Sequence, residues 1–119
     1  MNDIHRIGPR GEAIAVRYLE QSGCRILTRN FRKGKAEIDI IAIEGEFLLA
    51  VEVKSRSDTR YGEPEYAIDN RKIELLGEAI GYFQELHDLR MHIRFDIITV
   101  LFPPRGKPEL LHLRDAFRL

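Results

Sequence analysis

The chain has a single cysteine, Cys24, and no apolar run approaching the length of a membrane span. One cysteine cannot close an internal disulfide, so a small secreted scaffold stapled by disulfides is excluded. A spanning helix needs about 20 consecutive apolar residues, which no segment supplies. The opening stretch, Met1-Asn2-Asp3-Ile4-His5-Arg6, lacks the apolar centre of a signal peptide. Internal repeats and low-complexity tracts are missing too, and so is net charge: 19 Lys and Arg balance 19 Asp and Glu. What is present is enough for one core. The 119 residues are 44% hydrophobic, too apolar for disorder. At this size folding buries roughly two-thirds of the surface of the unfolded chain. The expectation is a single domain over residues 1–119, cytoplasmic and with no membrane partner.

The neutral total hides an asymmetry. Residues 1–35 carry eight basic side chains against three acidic ones, and the remainder carries the opposite excess. Between Arg25 and Lys35 stand Arg25, Arg29, Arg32, Lys33 and Lys35 with no acid among them. A local cluster of this kind can meet phosphates even in a neutral protein, although a solvated loop would look the same.

Hydrophobic spacing predicts a helix over about 9–22, begun by Gly8-Pro9 and ended by Gly23. Ala15, Val16 and Leu19 form its apolar stripe, and Glu12 falls on the same face. A strand is expected near Cys24–Thr28, then a basic loop broken by Gly34. Two strong runs, Ala36–Ile43 and Phe47–Lys54, read as a hairpin around Glu44-Gly45-Glu46. A mobile loop is expected over Ser55–Glu65, and a helix from an Asp69 N-cap to Leu86 with Ile73, Leu76, Ile80 and Phe83 inward. A strand over 92–102 and a short one over 109–113 complete the order α-β-β-β-α-β-β. The fold class this implies is α/β, a mixed central sheet flanked by helices.

The hairpin carries the chemistry. Side chains alternate faces along a strand, so Ile38, Ile40 and Ala42 share an apolar face with Phe47, Leu49, Val51 and Val53. The other face carries Glu37, Asp39, Ile41 and Ile43, then Leu48, Ala50, Glu52 and Lys54. With Gly45-Glu46 as the loop, Asp39 faces Glu52 and Glu37 faces Lys54. With Glu44-Gly45 as the loop, Glu37 faces Glu52. Other registers expose the apolar set. Either way three carboxylates and one ammonium cluster at the open end, and like charges directly opposite destabilise a sheet. Two explanations stand. One is a surface ion-pair cluster of Glu37 with Lys54, and Asp39 with a distant Arg. The other is a divalent cation, since two carboxylates with a backbone carbonyl and waters suit Mg²⁺. In that case Glu12 adds an oxygen, and Lys54 stabilises negative charge on a phosphate.

In order and spacing, Glu12, Asp39 and Glu52-Val53-Lys54 resemble the PD-(D/E)xK nuclease superfamily, which has the restriction-endonuclease-like fold. From Gly11 to about Val100 the chain looks like the YraN family of small bacterial endonuclease-like proteins, similar to archaeal Holliday junction resolvases. The stretches that match are Gly11-Glu12-Ala13, Arg29-Asn30-Phe31, Glu37-Ile38-Asp39, Val51-Glu52-Val53-Lys54-Ser55-Arg56, Tyr61-Gly62, Lys72 and Arg94-Phe95-Asp96. Ala36 replaces the family's usual Gly, Ile38 replaces the superfamily's Pro, and Ile73-Glu74-Leu75-Leu76 is less basic than the family's helix there. The resemblance implies an endonuclease on nucleic acid, DNA first, branched or single-stranded, leaving a 5′-phosphate. It implies Mg²⁺ or Mn²⁺ held by Asp39, Glu52 and the Val53 carbonyl, with Glu12 direct or through water, Lys54 catalytic and Glu37 auxiliary. Backbone contacts would come from Arg29, Arg32, Lys33, Lys35, Arg56 and Lys72, and a homodimer would double that surface. The alternative is a nucleic-acid-binding module of the same fold that does no chemistry.

The remaining reactive side chains get plainer expectations. His5, His87, His92 and His112 show no metal-ligand spacing, and Cys24, Tyr18 and Phe31 read as packed residues. Asp96 reads as a partner of Arg94.

Overall fold

A computed structural model describes residues 4–57 and 70–118. Helix α1 (Ile4–Gln21) is followed by β1 (Arg25–Lys33), β2 (Ala36–Glu44), β3 (Phe47–Arg56), α2 (Asn70–Leu86), β4 (His92–Leu101) and β5 (Glu109–Phe117). The α/β class and the element order are those expected. The five strands form one mixed sheet in the order β1-β2-β3-β4-β5, with β3 and β4 parallel and the other pairs antiparallel. A parallel pair needs a long crossover, and α2 lies within it.

Strand alternation sorts the core into two layers. Ile40, Ala42, Leu49, Val51, Ile98 and Val100 pack with Ala15 and Leu19 of α1. Ile41, Leu48, Ala50 and Phe95 pack with Leu76, Ala79, Ile80 and Phe83 of α2. The hairpin is therefore covered on both faces. Its register is the Gly45-Glu46 one, with Glu44 opposite Phe47 and Ile40 opposite Val51. Gly45 has φ +59°, a positive value at the first loop position, where a two-residue hairpin turn needs glycine.

Several expectations are corrected. Helix α1 begins at Ile4, and Pro9 sits inside it; a proline this near the start removes one hydrogen bond without ending the helix. The basic run expected as a loop is strand, because Thr28–Lys33 pairs with Ala36–Ile41 of β2, leaving only Gly34-Lys35 as the turn. A bulge between Ile26 and Thr28 hid the alternation. Strand β5 runs on to Phe117. Ile38 joins Ala36 and Ile41 on the α2 side, so alternation breaks between Ile38 and Ile40. Phe47 is exposed, with the Arg94 guanidinium 5.3 Å from its ring centroid. Ile73 is only half-buried, and Ala79 takes its place in the α2 stripe. Ser55 and Arg56, expected to begin the loop, end β3 instead, and the loop beyond Ser57, Tyr61-Gly62 and the Asp69 cap lie outside the described residues.

One contact seats α1 on the sheet. A Cβ at Gly11 would meet Ser55 Oγ at 2.0 Å and Ser55 Cβ at 3.2 Å. The bare glycine lets the helix approach β3 and brings Glu12 to its rim. Gly11→Val is expected to cost about 1–3 kcal/mol by overpacking, read as a lower urea midpoint. Gly11→Ala combined with Ser55→Gly, which clears both atoms, is expected to recover it. An unchanged midpoint for Gly11→Val would mean the helix is not seated so closely.

Candidate functional site

Asp39 sits where the sheet opens. The β2–β3 pairing ends at Ile40 opposite Val51, so Asp39 and Glu52 are not held as a ladder pair. The β1–β2 pairing skips the step at Asp39 as well, passing from Arg29–Ile40 to Phe31–Ile38. With the ladder open, the Val53 N–H donates to Asp39 Oδ2 at 2.8 Å. Burial, countered in part by that hydrogen bond, pushes the Asp39 carboxyl up to about 6, and the charges of Glu52, Glu12 and Glu37 push the same way. Three acids therefore act on a fourth that is partly withdrawn from water.

Glu52 is held from the other side of β3. Its Oε1 accepts a hydrogen bond from Lys72 Nζ of α2 and lies 3.9 Å from Lys54 Nζ. Its Oε2 is buried and has no hydrogen-bond partner among the described residues. Leaving such an oxygen unsatisfied costs at least about 1–3 kcal/mol, so it is an oxygen in want of a cation or a donor. Asp39 and Glu52 both line a narrow crevice that Leu76 of α2 and Asp96 of β4 also line. Glu12 reaches the same region from α1. Its Oε1 accepts from Arg29 Nε at 3.3 Å, Arg29 Nη2 at 3.2 Å and Asn30 Nδ2 at 3.1 Å. Glu12, Arg29, Asn30, Asp39, Val53 and Ser55 line an open cleft of about 540 Å³.

The structure thus brings Glu12, Asp39, Glu52, Val53 and Lys54 into one neighbourhood, and it divides the basic residues. Arg29 stands on the cleft beside Glu12, and Arg32 pairs with Glu37 at 3.0 Å. Glu37 therefore faces Arg32 across β1–β2, and the ion pair weighed for it with Lys54 is replaced. Lys33 lies over the Tyr82 ring of α2, its Nζ 4.7 Å from the centroid, on the opposite face of the sheet. Lys35 is exposed in the turn, and Arg56 ends β3. Lys72 is drawn to Glu52. Among the described residues no three His, Cys, Asp or Glu side chains stand gathered around one point.

Sequence reasoning passed over two features. Asn30, with φ 54°, supplies a donor to Glu12. The second feature is a buried polar chain behind the α1 face. Asp96 is 1% exposed. Its carboxylate accepts from Arg94 Nε at 2.9 Å, Arg94 Nη2 at 2.8 Å and the Asp115 N–H at 3.1 Å, and lies 2.7 Å from His112 Nε2. His112 Nδ1 lies 2.8 Å from the Tyr18 hydroxyl. Arg94 Nη2 also donates to Glu44 Oε1 at 2.8 Å, and Cys24 Sγ lies 3.7 Å from Glu44 Oε2. Burial raises Asp96, but hydrogen bonds from His112, Arg94 and Asp115 outweigh it and hold the carboxyl at about 2. Burial and the Glu44 charge push the Cys24 thiol up to about 11, far from a nucleophile's range. His112, Tyr18 and Cys24 are packed, satisfied residues, and Asp96 is the partner of Arg94. Together they fix the C-terminal half of α1 to β4 and β5, as Gly11 fixes its earlier turns to β3.

Comparison with known proteins places the sequence. UPF0102 proteins are similar over nearly the whole length. That of Bacteroides thetaiotaomicron is 40% identical over 117 residues, 98% of this chain and 96% of that one. That of Geotalea daltonii is 40% identical over 119 residues, 99% and 94%. Among solved structures, Hjc of Archaeoglobus fulgidus, a Holliday junction resolvase from an archaeal hyperthermophile, aligns with a TM-score of 0.44 at 23% identity, covering 86% of this chain and 72% of that one. No helix among the described residues is long and apolar enough to cross a membrane. Residues 11–100 match the Uncharacterised protein family UPF0102, and the chain belongs to that family.

Proposed function

We propose that the protein is a metal-dependent endonuclease, acting on DNA through Asp39, Glu52, Lys54 and Glu12. The observation that carries the reading is the Glu52 carboxylate, with one oxygen buried and unpartnered among the described residues, beside a partly buried Asp39. This donor set fits a hard divalent ion. All the atoms are oxygen, and Mg²⁺ takes one or two carboxylates while keeping several waters, so a closed cluster of three side chains is not required. Asp39, Glu52 and the Val53 carbonyl would hold Mg²⁺ or Mn²⁺, with Glu12 alongside. A divalent ion in such a site supplies an activated water and polarises the phosphoryl group.

The chain's own residues do the rest. Lys54 stands on the same strand face as Glu52 and answers negative charge developing on the phosphate. Arg29 lines the cleft and Arg32 stands farther along β1 beside Glu37; both would take the sugar–phosphate backbone, which positions a substrate without reading its sequence. Acids at the centre and arginines at the rim also explain how a nucleic-acid enzyme can be neutral overall.

A second reading is favoured by one contact. The Lys72 ammonium already occupies Glu52 Oε1, as it would in a binding module that has replaced its metal with a lysine. Incubation of the purified protein with branched, single-stranded and duplex DNA in Mg²⁺ or Mn²⁺ separates the two. Cleavage is expected to stop on chelation, and Glu52→Gln is expected to lower it about a thousandfold or more. Cleavage retained by Glu52→Gln would refute the site. Salt-sensitive binding without metal-dependent turnover would favour the module.

A further inference from the structure

Asn30 breaks the pattern of its strand. In a regular strand, consecutive side chains point to opposite faces. Here Arg29 and Asn30 both reach the Glu12 carboxylate of α1, while Phe31 packs edge-on against Phe83 of α2 with centroids 5.2 Å apart. Two neighbours can share one target only because the backbone turns over between them. Asn30 has φ 54°, a left-handed conformation that asparagine tolerates better than most side chains. The turn falls across from Asp39, at the step the β1–β2 ladder skips. The same irregularity opens the sheet at Asp39 and aims the amide at Glu12. Distortions of this kind in strands beside active sites re-aim side chains.

We propose that Asn30 is a positioning residue: its left-handed backbone delivers Nδ2 to Glu12 Oε1, and together with Arg29 it fixes that carboxylate beside the Asp39–Val53 contact. The use made of the fixed carboxylate, orienting an acid toward a divalent ion, rests on the nuclease reading above. The Asn30–Glu12 link itself does not.

Three substitutions separate backbone from side chain. Asn30→Gly keeps the left-handed backbone and removes the donor. Asn30→Asp keeps the shape and turns a donor into an acceptor facing Glu12. Asn30→Ala loses the donor and strains the backbone. Partners that orient a metal ligand are typically worth about 10–100-fold in metal affinity or activity. Asn30→Gly is expected to lose about that factor in Mn²⁺ affinity by calorimetry and in kcat, with KM for DNA unchanged. Asn30→Asp is expected to lose more. In a Glu12→Ala background, where no side-chain oxygen is left to accept from Nδ2, Asn30→Gly is expected to add little. Wild-type Mn²⁺ affinity and kcat in Asn30→Gly would overturn the proposal, and so would an equal loss with and without Glu12. The link is also read without metal or substrate, as the thermal stability of the two single variants and the double. Non-additive changes in Tm are expected of contacting residues, and additive ones would overturn the link. Should the wild-type protein neither bind Mn²⁺ nor cut DNA, the nuclease reading fails, and the Tm cycle alone decides whether Asn30 holds Glu12.

Discussion

Asp39→Asn is expected to give a protein that is more stable than the parent at neutral pH in chelator, and inactive. The sign follows from the carboxyl, which is held at about 6 in the folded chain against an ordinary 3.8. The folded state binds the proton more tightly than the unfolded state, so stability from this group is complete below about pH 4 and is lost as pH rises through about 6. Above that, the fold carries an ionised carboxylate that burial and three neighbouring acids oppose. The difference, about two pKa units at about 1.4 kcal/mol each, is on the order of 1–3 kcal/mol. Asparagine keeps an oxygen for the Val53 N–H and drops the charge. The stability gain should be seen by urea denaturation above pH 6 and should vanish near pH 4. Mn²⁺ should stabilise the parent by mass action and not the variant. A variant less stable than the parent throughout would contradict the electrostatics assigned to Asp39.

Asp96→Ala is expected to be the most damaging single substitution. Asp96 accepts from Arg94, His112 and Asp115 in a site closed to solvent. Removing it leaves a guanidinium that is 12% exposed without its principal counter-ion. Breaking a buried pair in this way costs about 3–5 kcal/mol, against a total that is typically 5–15 kcal/mol. A Tm lowered by about 10 °C or more is expected by calorimetry. Arg94→Met added to it should recover part of the loss, because the stranded cation is its source. The carboxyl is held at about 2, so its contribution is complete above about pH 4 and is lost as pH falls toward 2. A near-native Tm for Asp96→Ala would mean that Glu44 and water, rather than Asp96, satisfy Arg94. The network also clamps α1, which carries Glu12, so milder changes such as His112→Gln should lower activity without touching the cleft.

The hairpin was legible in the sequence because alternation admits few registers and Gly45 marks the turn. Its charged end was legible because Asp39, Glu52 and Lys54 fall at fixed offsets along two strands. Strand β1 was not. The edge-strand run of Arg29, Asn30, Phe31, Arg32 and Lys33 has little apolar signal, and the bulge between Ile26 and Thr28 together with the left-handed Asn30 destroys what alternation remains. The Asp96 chain was hidden for a different reason. Tyr18 and His112 are 94 residues apart, and only the packing of α1 across β4 and β5 brings them together. Nor could spacing show that Lys72 would reach Glu52 from α2, since that contact depends on how the crossover lays the helix on the sheet.

In the proposed nuclease, Asp39 and Glu52 form one divalent-cation site. Calorimetric titration of Mn²⁺ into the wild-type chain, Asp39→Asn and Glu52→Gln at neutral pH tests it directly. A single site in the wild type, lost in both variants and weakening below about pH 6 as the Asp39 proton competes, is the expected result. Absence of binding by the wild type, or binding that survives both substitutions, would contradict it.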